Sequence, residues 1–215
     1  GRSLVDYLDL LINKLDAKKS ELEENIGRVV DKTALITNLI AAQQKYSGAV
    51  SEKELVDIST LINDSVSILE TSFQKYDISI KKEIDCSYEI VVDKVKLIHI
   101  LINLLRNAIE AMYETDPGSR MIRVVTSMDE KLYYLKVYDT GTGIEKAVLK
   151  NLFQMGYSTK KRGRGFGLHA CAGYMVEMGG EIKAESEGKN RGSCFILSFP
   201  REPGVIHENG AGDER

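Results

Sequence analysis

The chain has 215 residues, of which 43% are hydrophobic and 28% charged, which suffices for one or two domains that each bury a core. Its formal net charge of -3 and its lack of tryptophan disfavour nucleic acid as a partner, because nucleic-acid-binding surfaces are basic and often carry aromatic stacking residues. No apolar run approaches the ~20 residues that span a bilayer, and no signal-peptide pattern opens the chain.

The first predicted unit is a helical hairpin over about residues 4–46, with its turn at Gly27. A narrow apolar stripe repeats at helical spacing through Leu4, Leu8, Leu11, Leu15 and Leu22. Because so narrow a seam buries little surface by itself, we expect two copies to pair as a dimeric four-helix bundle. The alternative is that both helices pack on the rest of the same chain. Residues 1–52 are assigned to this dimerisation-like hairpin.

An α+β module is predicted for residues 53–200, followed by a polar tail at residues 201–215. It begins with a helix whose apolar face comprises Leu55, Ile58, Ile62, Val66 and Leu69. Two short strands follow at residues 78–84 and 88–92, and Asp93 then begins a long helix that extends to about Tyr113.

The second half of the module is rich in strands. Residues 121–128 and 132–138 predict a hairpin around an Asp129-Glu130 turn, a glycine-rich region extends to Gly167, and a helix continues to Met178. A last hairpin is predicted from residues 181–186 and 193–199. The order of elements predicts a two-layer α/β sandwich, with helices on one face of a mixed, mostly antiparallel sheet.

The three cysteines, Cys86, Cys171 and Cys194, are odd in number and widely spaced. This disfavours a disulfide framework or a zinc site and favours a reducing cytoplasm. We expect each of them to be a small buried hydrophobic residue.

Three polar side chains share one face of the predicted long helix. Asn103, Asn107 and Glu110 are spaced four and three residues apart, opposite an apolar face that we expect to be core. Asparagine is a poor helix former, so two on one face of an apolar helix require a reason. An amide oxygen is a suitable ligand for Mg²⁺ beside phosphate oxygens. The alternative is an amide bound to neighbouring backbone.

A second cluster begins at Asp139, which ends a predicted strand and precedes Gly141 and Gly143. The glycines permit a close backbone approach to a ligand. A partly buried carboxylate at a strand end can accept a hydrogen bond from an adenine amino group. By itself the pattern is common, and the strict dinucleotide-binding fingerprint is absent.

A third cluster at residues 153–160 and a fourth at residues 163–168 form one cationic segment that leads into the helix predicted at Gly167. Its four cations are Lys160, Lys161, Arg162 and Arg164. Exposed amides at a helix start, together with cations, suit a triphosphate. The alternative is an ordinary solvated basic loop. No Walker-type glycine–lysine loop occurs, which disfavours a P-loop enzyme.

In their order and spacing, these clusters resemble the N, G1, F and G2 boxes of the superfamily of histidine kinases and gyrase- and chaperone-type ATPases. The resemblance covers about residues 55–199. It implies an α/β sandwich with a mixed sheet and three helices, and Mg-ATP bound between the N-box helix and a lid. It also implies transfer of the γ-phosphoryl group of ATP to a histidine in two-component signalling, with a response regulator or a partner kinase as protein partner.

The resemblance further implies roles for individual residues. Asn107 would hold Mg²⁺, Asn103 would lie near the γ-phosphate, and Asp139 would bind the adenine amino group. Asn103 and Lys160 are the residues expected to be catalytic, and Lys160 would also contact phosphate. The remaining nucleotide-binding positions are expected to be Glu110, Gly141, Gly143, Ile144, Gly163, Arg164, Gly165, Phe166, Gly167 and Leu168, with Phe153 and Tyr157 as anchors of the lid.

The N-terminal half departs from the family pattern. A sensor kinase hairpin carries a phosphoacceptor histidine, followed by an acidic residue and shortly by a proline. The histidines are His99, His169 and His207, none of them in the hairpin, and no proline precedes Pro117. The chain therefore resembles a sensor kinase whose phosphoacceptor lies in another protein or outside this sequence. We expect it to dimerise, to bind ATP and to form no phosphohistidine within residues 1–53.

Two other functions remain open. The missing histidine favours a non-catalytic, nucleotide-gated dimeric regulator of a partner kinase, whereas the intact nucleotide boxes favour the kinase. The third function is an ATPase of the chaperone or gyrase type. Asn103 disfavours it, because hydrolysis there relies on a glutamate that activates water. The expected location is the cytoplasm, either alone or as the cytoplasmic part of a larger, membrane-associated sensor.

Overall fold

The computed structural model describes residues 53–84, 88–157 and 165–201, together with seven single residues near the N-terminus. The chain divides into two compact units, Gly1–Val50 and Ser51–Arg215. The described residues of the first unit, Tyr7, Leu10, Leu11, Ile12, Lys14, Leu15 and Lys18, are all helical, as their apolar spacing predicts. The hairpin turn and residues 202–215 lie outside the described residues, so the hairpin and its dimerisation stay predictions.

The second unit is an α+β domain. Its strands are β1 (Glu54–Asp57), β2 (Ser79–Ile84), β3 (Glu89–Val92), β4 (Met121–Met128), β5 (Leu132–Asp139), β6 (Glu181–Glu185) and β7 (Ser193–Pro200). Its helices are α1 (Ile58–Ile68), α2 (Glu70–Lys75), α3 (Lys94–Ala111), α4 (Lys146–Leu149) and α5 (Gly167–Glu177), with a 3-10 turn at Pro117–Ser119. Within the described part of the chain, none of the helices has the length and apolar character that a transmembrane segment needs.

Five strands form one mixed sheet in the order β2-β4-β5-β7-β6. Strand β2 runs parallel to β4, whereas the other three neighbouring pairs are antiparallel. The turn between β4 and β5 is held by the Asp129 carboxylate, which accepts hydrogen bonds from the backbone N–H groups of Lys131 and Leu132, both at 2.8 Å. Strands β1 and β3 form a separate two-stranded antiparallel sheet. The mixed, mostly antiparallel sheet expected from the sequence is confirmed.

The core lies between one face of the five-stranded sheet and helix α3, which also packs against α1 and α5. Inward positions alternate along β4 and β5, so Ile122, Val124, Leu135 and Val137 are each at most 1% exposed. Asp93 caps the N-terminus of helix α3, and its carboxylate accepts a hydrogen bond from the Lys96 N–H at 3.0 Å. The buried residues of α3 are Leu97, Ile100, Leu101, Leu104, Leu105, Ala108 and Ile109.

Two local predictions are wrong. The helix expected from Leu55 onward begins only at Ile58, because the four residues before it form strand β1 and pair with β3. Leu55 is consequently 55% exposed while its neighbour Val56 is 4% exposed, as the alternation of a strand requires. The glycine-rich region before Gly167 also contains the short helix α4, which the sequence does not predict.

Candidate nucleotide-binding site

Asp139, the last residue of β5, is a buried carboxylate that accepts three hydrogen bonds. It is 7% exposed. The Gly141 N–H donates to Oδ1 at 2.8 Å, the Ser193 hydroxyl donates to Oδ2 at 2.5 Å, and the Ser193 N–H also donates to the carboxylate. Burial raises the pKa of Asp139 and the three hydrogen bonds oppose this rise. A carboxylate has about four acceptor positions, so Asp139 can still accept a hydrogen bond from a ligand.

Ser193 is a site residue that the sequence does not predict. It begins β7 and is itself 9% exposed. The ladder between β5 and β7 places it directly opposite Asp139. A serine at the start of a strand is unremarkable in a sequence, and only the pairing of these two strands gives it a role.

The loop after Asp139 lies against the C-terminal end of α3. A Cβ atom at Gly141 would be 2.7 Å from both the Cβ and the carbonyl oxygen of Ala111, so no larger residue fits there. Gly143 has a φ of 69°, and a Cβ there would overlap the carbonyl oxygen of Gly188. The two glycines therefore allow this loop to sit between α3 and the loop that joins β6 to β7.

The β6–β7 loop supports the Asp139 loop from the other side. The Ser186 hydroxyl accepts a hydrogen bond from the Ile144 N–H at 2.9 Å, and the Asn190 N–H donates to the Thr142 carbonyl at 2.6 Å. Ile144 also packs its side chain against the core. These bonds fix the backbone of residues 139–144, a support that the sequence alone does not predict.

Asn103 lies where α3 meets the first turn of α5. Its amide oxygen is 3.3 Å from the position that a Cβ would take at Gly167. Its side chain also lies close enough to the fully buried thiol of Cys171 to lower the pKa of that thiol. Burial raises the pKa of Cys171 to about 12. The fold thus brings Asn103 of the first cluster together with Gly167 of the last.

Asn107 and Glu110 lie further along α3, the former half-buried and the latter exposed. Among the described residues, no group of three or more histidine, cysteine, aspartate or glutamate side chains is placed to hold a metal ion. Mg²⁺ beside a nucleotide is commonly held by one or two protein oxygens, with phosphate and water as its other ligands, and Asn107 would supply an amide oxygen. The single amide oxygen fits that kind of site.

The two flanks of the predicted phosphate segment are described, whereas residues 158–164 are not. Phe153 and Leu168 pack against the core, one on each flank. Gly165 has a φ of 67°, and a Cβ there would overlap the backbone of Tyr157, so the two flanks meet at these residues. Phe166, just before α5, is half-buried. Lys160, Gly163 and Arg164 lie outside the described residues, and their phosphate contacts stay predictions.

The fold and this arrangement match a known class of ATP-binding domain. Residues 92–203 match the family described as histidine kinase-, DNA gyrase B- and HSP90-like ATPase, and this stretch is more than half of the chain. The chain belongs to that family. Within it, the chain carries the ATP-binding catalytic domain of a sensor histidine kinase, a phosphotransferase class, which confirms the resemblance seen in the sequence.

Individual relatives support this placement. The chain is 26% identical over 193 residues to the sensor protein FixL of Bradyrhizobium diazoefficiens, and the matched region covers 89% of this chain and 38% of that protein. It is 31% identical over 186 residues to the sensor histidine kinase TmoS of Ectopseudomonas mendocina, covering 84% of this chain and 19% of that protein. The chain thus spans less than two fifths of either relative. The nucleotide-free catalytic domain of histidine kinase ThkA aligns with a TM-score of 0.61 and 26% identity, over 69% of this chain and 95% of that one.

Proposed function

We propose that this chain is the Mg-ATP-binding kinase core of a two-component sensor histidine kinase, and that it transfers the γ-phosphoryl group of ATP to a histidine outside residues 1–53. The observation that carries the proposal is that the two parts of the candidate site contact the same helix, α3, at different positions. The Asp139 loop meets α3 at Ala111, and Gly167 meets α3 at Asn103. Eight residues of helix span ~12 Å, which is the length scale of an extended nucleoside triphosphate.

Asp139 recognises adenine at one end of this span. Its remaining acceptor position takes a hydrogen bond from the exocyclic amino group, while Gly141, Gly143 and Ile144 shape the surrounding pocket. A guanine would present a carbonyl oxygen at the same place, and a carboxylate repels that oxygen. The site therefore prefers ATP to GTP.

The other end holds the phosphates. Bound Mg²⁺ would neutralise phosphate charge and orient the transferred group. The Asn107 amide oxygen is its protein ligand, and Asn103 lies near the γ-phosphate. Backbone N–H groups at the start of α5 bind phosphate oxygens, as helix N-termini do. The remaining contacts on this side are proposed to be Glu110, Phe153, Tyr157, Lys160, Gly163, Arg164, Gly165, Phe166, Gly167 and Leu168, with Lys160 catalytic together with Asn103.

The phosphoacceptor and the partners complete the proposal. The acceptor histidine belongs to another protein or to a segment beyond this sequence, and the protein partner is a response regulator or a partner kinase in the cytoplasm. Residues 1–52 form a homodimer.

Incubation with γ-labelled ATP tests the proposal. The chain is incubated alone and with candidate response regulators or histidine-bearing kinases, and the label is then followed by acid and base stability and by peptide mapping. We expect acid-labile label on an added partner and none within residues 1–53. Stoichiometric label in the hairpin would contradict the proposal.

The same experiment separates the two alternative functions. Tight nucleotide binding without label on any protein would favour the non-catalytic regulator, which the absence of a hairpin histidine supports. Steady release of inorganic phosphate without transfer would favour an ATPase of the chaperone or gyrase type.

A further inference from the structure

The side chain of Arg120, the residue just before β4, joins the ends of two helices. It is half-buried, and all three of its guanidinium nitrogens donate to backbone carbonyl oxygens. Nη1 donates to Tyr76, at the end of α2, at 2.8 Å. Nη2 donates to Tyr113 and Thr115, which follow α3, at 3.1 and 2.8 Å, and Nε donates to Thr115 at 3.2 Å. Because a guanidinium is planar and rigid, it fixes the relative position of the segments that it binds.

These bonds extend beyond the turn that connects α3 to β4. The turn itself is closed by the Ser119 N–H, which donates to the Asp116 carbonyl at 3.0 Å. Arg120 reaches past this turn to Tyr113 and Thr115 on its α3 side. The guanidinium therefore ties the start of β4 to the end of α3 independently of the turn between them.

The start of β4 also holds the loop that begins at Asp139. The Thr140 hydroxyl donates to the Ser119 carbonyl at 2.7 Å and accepts a hydrogen bond from the Met121 N–H at 3.0 Å. Ser119 and Met121 are the residues on either side of Arg120. The backbone that carries the guanidinium is therefore one anchor of the Asp139 loop.

The end of α3 is the second anchor of this loop. The Thr142 N–H donates to the Ala111 carbonyl at 3.0 Å, and Gly141 packs so closely on Ala111 that a Cβ has no room. The Gly141 N–H in turn donates to the Asp139 carboxylate at 2.8 Å. A shift of one anchor relative to the other would therefore disturb the carboxylate at which adenine is proposed to bind.

We propose that Arg120 is a positioning residue for adenine binding, an inference that rests on the proposed function. By binding the end of α3 from the start of β4, its guanidinium fixes the distance between the two anchors of the Asp139 loop. The carboxylate is then held where it can accept a hydrogen bond from the adenine amino group, as a binding group must be held by the residues around it. Arg120 acts through the backbone and not by contact with the nucleotide.

Four proteins test this role: the parent chain, Arg120→Ala, Arg120→Lys and the control Arg123→Ala. The Arg123 side chain pairs with the Glu83 carboxylate of β2, at 2.9 Å. The control therefore removes the same charge from a nearby position whose side chain binds neighbouring strands. Each protein is titrated with adenosine and with Mg-ATP at a temperature at which its thermal unfolding curve shows it to be fully folded, so that a role in stability alone leaves the affinities unchanged.

We expect Arg120→Ala to bind both ligands about three- to tenfold more weakly, the range of the one hydrogen bond between adenine and the carboxylate. A lysine nitrogen cannot take the places of three guanidinium nitrogens, so Arg120→Lys should also bind both ligands more weakly. Methylguanidinium should restore part of the adenosine affinity of Arg120→Ala, whereas methylammonium should not. Arg123→Ala should bind adenosine as the parent does.

Parent-like adenosine affinity in folded Arg120→Ala would overturn the inference. So would a loss confined to Mg-ATP, which a missing charge alone explains, an equal loss of adenosine affinity in Arg123→Ala, or equal rescue by the two added cations. If Arg120→Ala does not fold, Arg120→Lys is judged by the same comparison of adenosine and Mg-ATP. A parent chain that binds neither ligand would instead refute the proposed function, and this inference with it.

Discussion

Replacing Ser193 by alanine removes one of the three donors that hold the Asp139 carboxylate. The Ser193 hydroxyl lies 2.5 Å from Oδ2 of Asp139, and both residues are less than 10% exposed. A hydrogen bond to a charged group contributes ~1.5–3 kcal/mol. The Ser193 N–H and the Gly141 N–H remain in the variant, so we expect a loss of unfolding free energy near the lower limit, about 1.5 kcal/mol.

The substitution also changes the ionisation of Asp139. Burial raises the pKa of this carboxyl and the Ser193 hydroxyl opposes the rise, so alanine should raise the pKa further. A protonated carboxyl is a poorer acceptor for an adenine amino group, so nucleotide affinity should fall as the pH decreases through the pKa of Asp139. In Ser193→Ala this fall should begin at a higher pH than in the parent chain.

The effect of pH on folding stability has the opposite sign to its effect on nucleotide binding. Because the folded state has the higher Asp139 pKa, it binds this proton more readily than the unfolded state does. The contribution of Asp139 to the unfolding free energy therefore increases as the pH decreases from the folded pKa towards the unfolded one.

Titration with a fluorescent adenine nucleotide at a series of pH values measures both effects on binding. Ser198→Ala is a matched control on the same strand, because the Ser198 hydroxyl donates its hydrogen bond to the backbone carbonyl of Glu181, at 3.5 Å, and not to a carboxylate. We expect the pH at which nucleotide affinity falls to be higher in Ser193→Ala than in the parent chain and unchanged in Ser198→Ala. If Ser193→Ala and the parent share one affinity and one pH midpoint, the reasoning is refuted.

Three further predictions concern the candidate site and the residues around it. In a denaturant titration, Gly143→Ala should lower the unfolding free energy by at least about 1–2 kcal/mol, because the φ of 69° at Gly143 disfavours a side chain. Gly173 lies in open space within α5, so Gly173→Ala should instead raise the unfolding free energy by about 0.5–1 kcal/mol. Burial raises the pKa of Cys171 to about 12 and the pKa of Cys194 to about 11. A folded Cys86→Ser variant, which keeps only these two thiols, should therefore resist alkylation at pH 8, and rapid labelling without denaturant would contradict this. Asn107→Ala should lose the Mg²⁺ dependence of ATP binding while the domain stays folded; an unfolded variant, together with Mg²⁺-independent binding by the parent, would assign the amide a structural role instead.

Secondary structure with local signals could be predicted from the sequence. The carboxylate of Asp93, followed by an amphipathic apolar pattern, correctly predicted helix α3, and the alternating residues on either side of Asp129 predicted the β4–β5 hairpin. Strand β1 could not be predicted, because the apolar spacing of Leu55 and Ile58 also fits a helix. What decides the matter is the pairing of Leu55 with Val91 in β3, a contact between distant parts of the chain.

In the candidate site, too, the sequence indicates residues that carry a local signal and misses those defined by contacts between distant parts of the chain. Asn103 could be selected because asparagine is unusual on the face of a helix. Asp139 could be selected because a carboxylate at the end of a strand can bind a ligand. Ser193 could not, since its importance arises only from the register between β5 and β7. Gly141 could be selected as a glycine, but the reason that no other residue fits, its contact with Ala111, exists only in the folded chain.

The central claim is that one ATP molecule lies along α3, with its adenine at Asp139 and its phosphates at Gly167. Backbone amide chemical shifts of the isotopically labelled chain, followed during titration with adenosine and then with Mg-ATP, test this claim most directly. We expect adenosine to shift the amides of Gly141 and Gly143 and to leave Gly167 unchanged, and Mg-ATP to shift all three with one saturation curve. Mg-ATP shifts confined to other parts of the domain, or none that saturate, would contradict the claim.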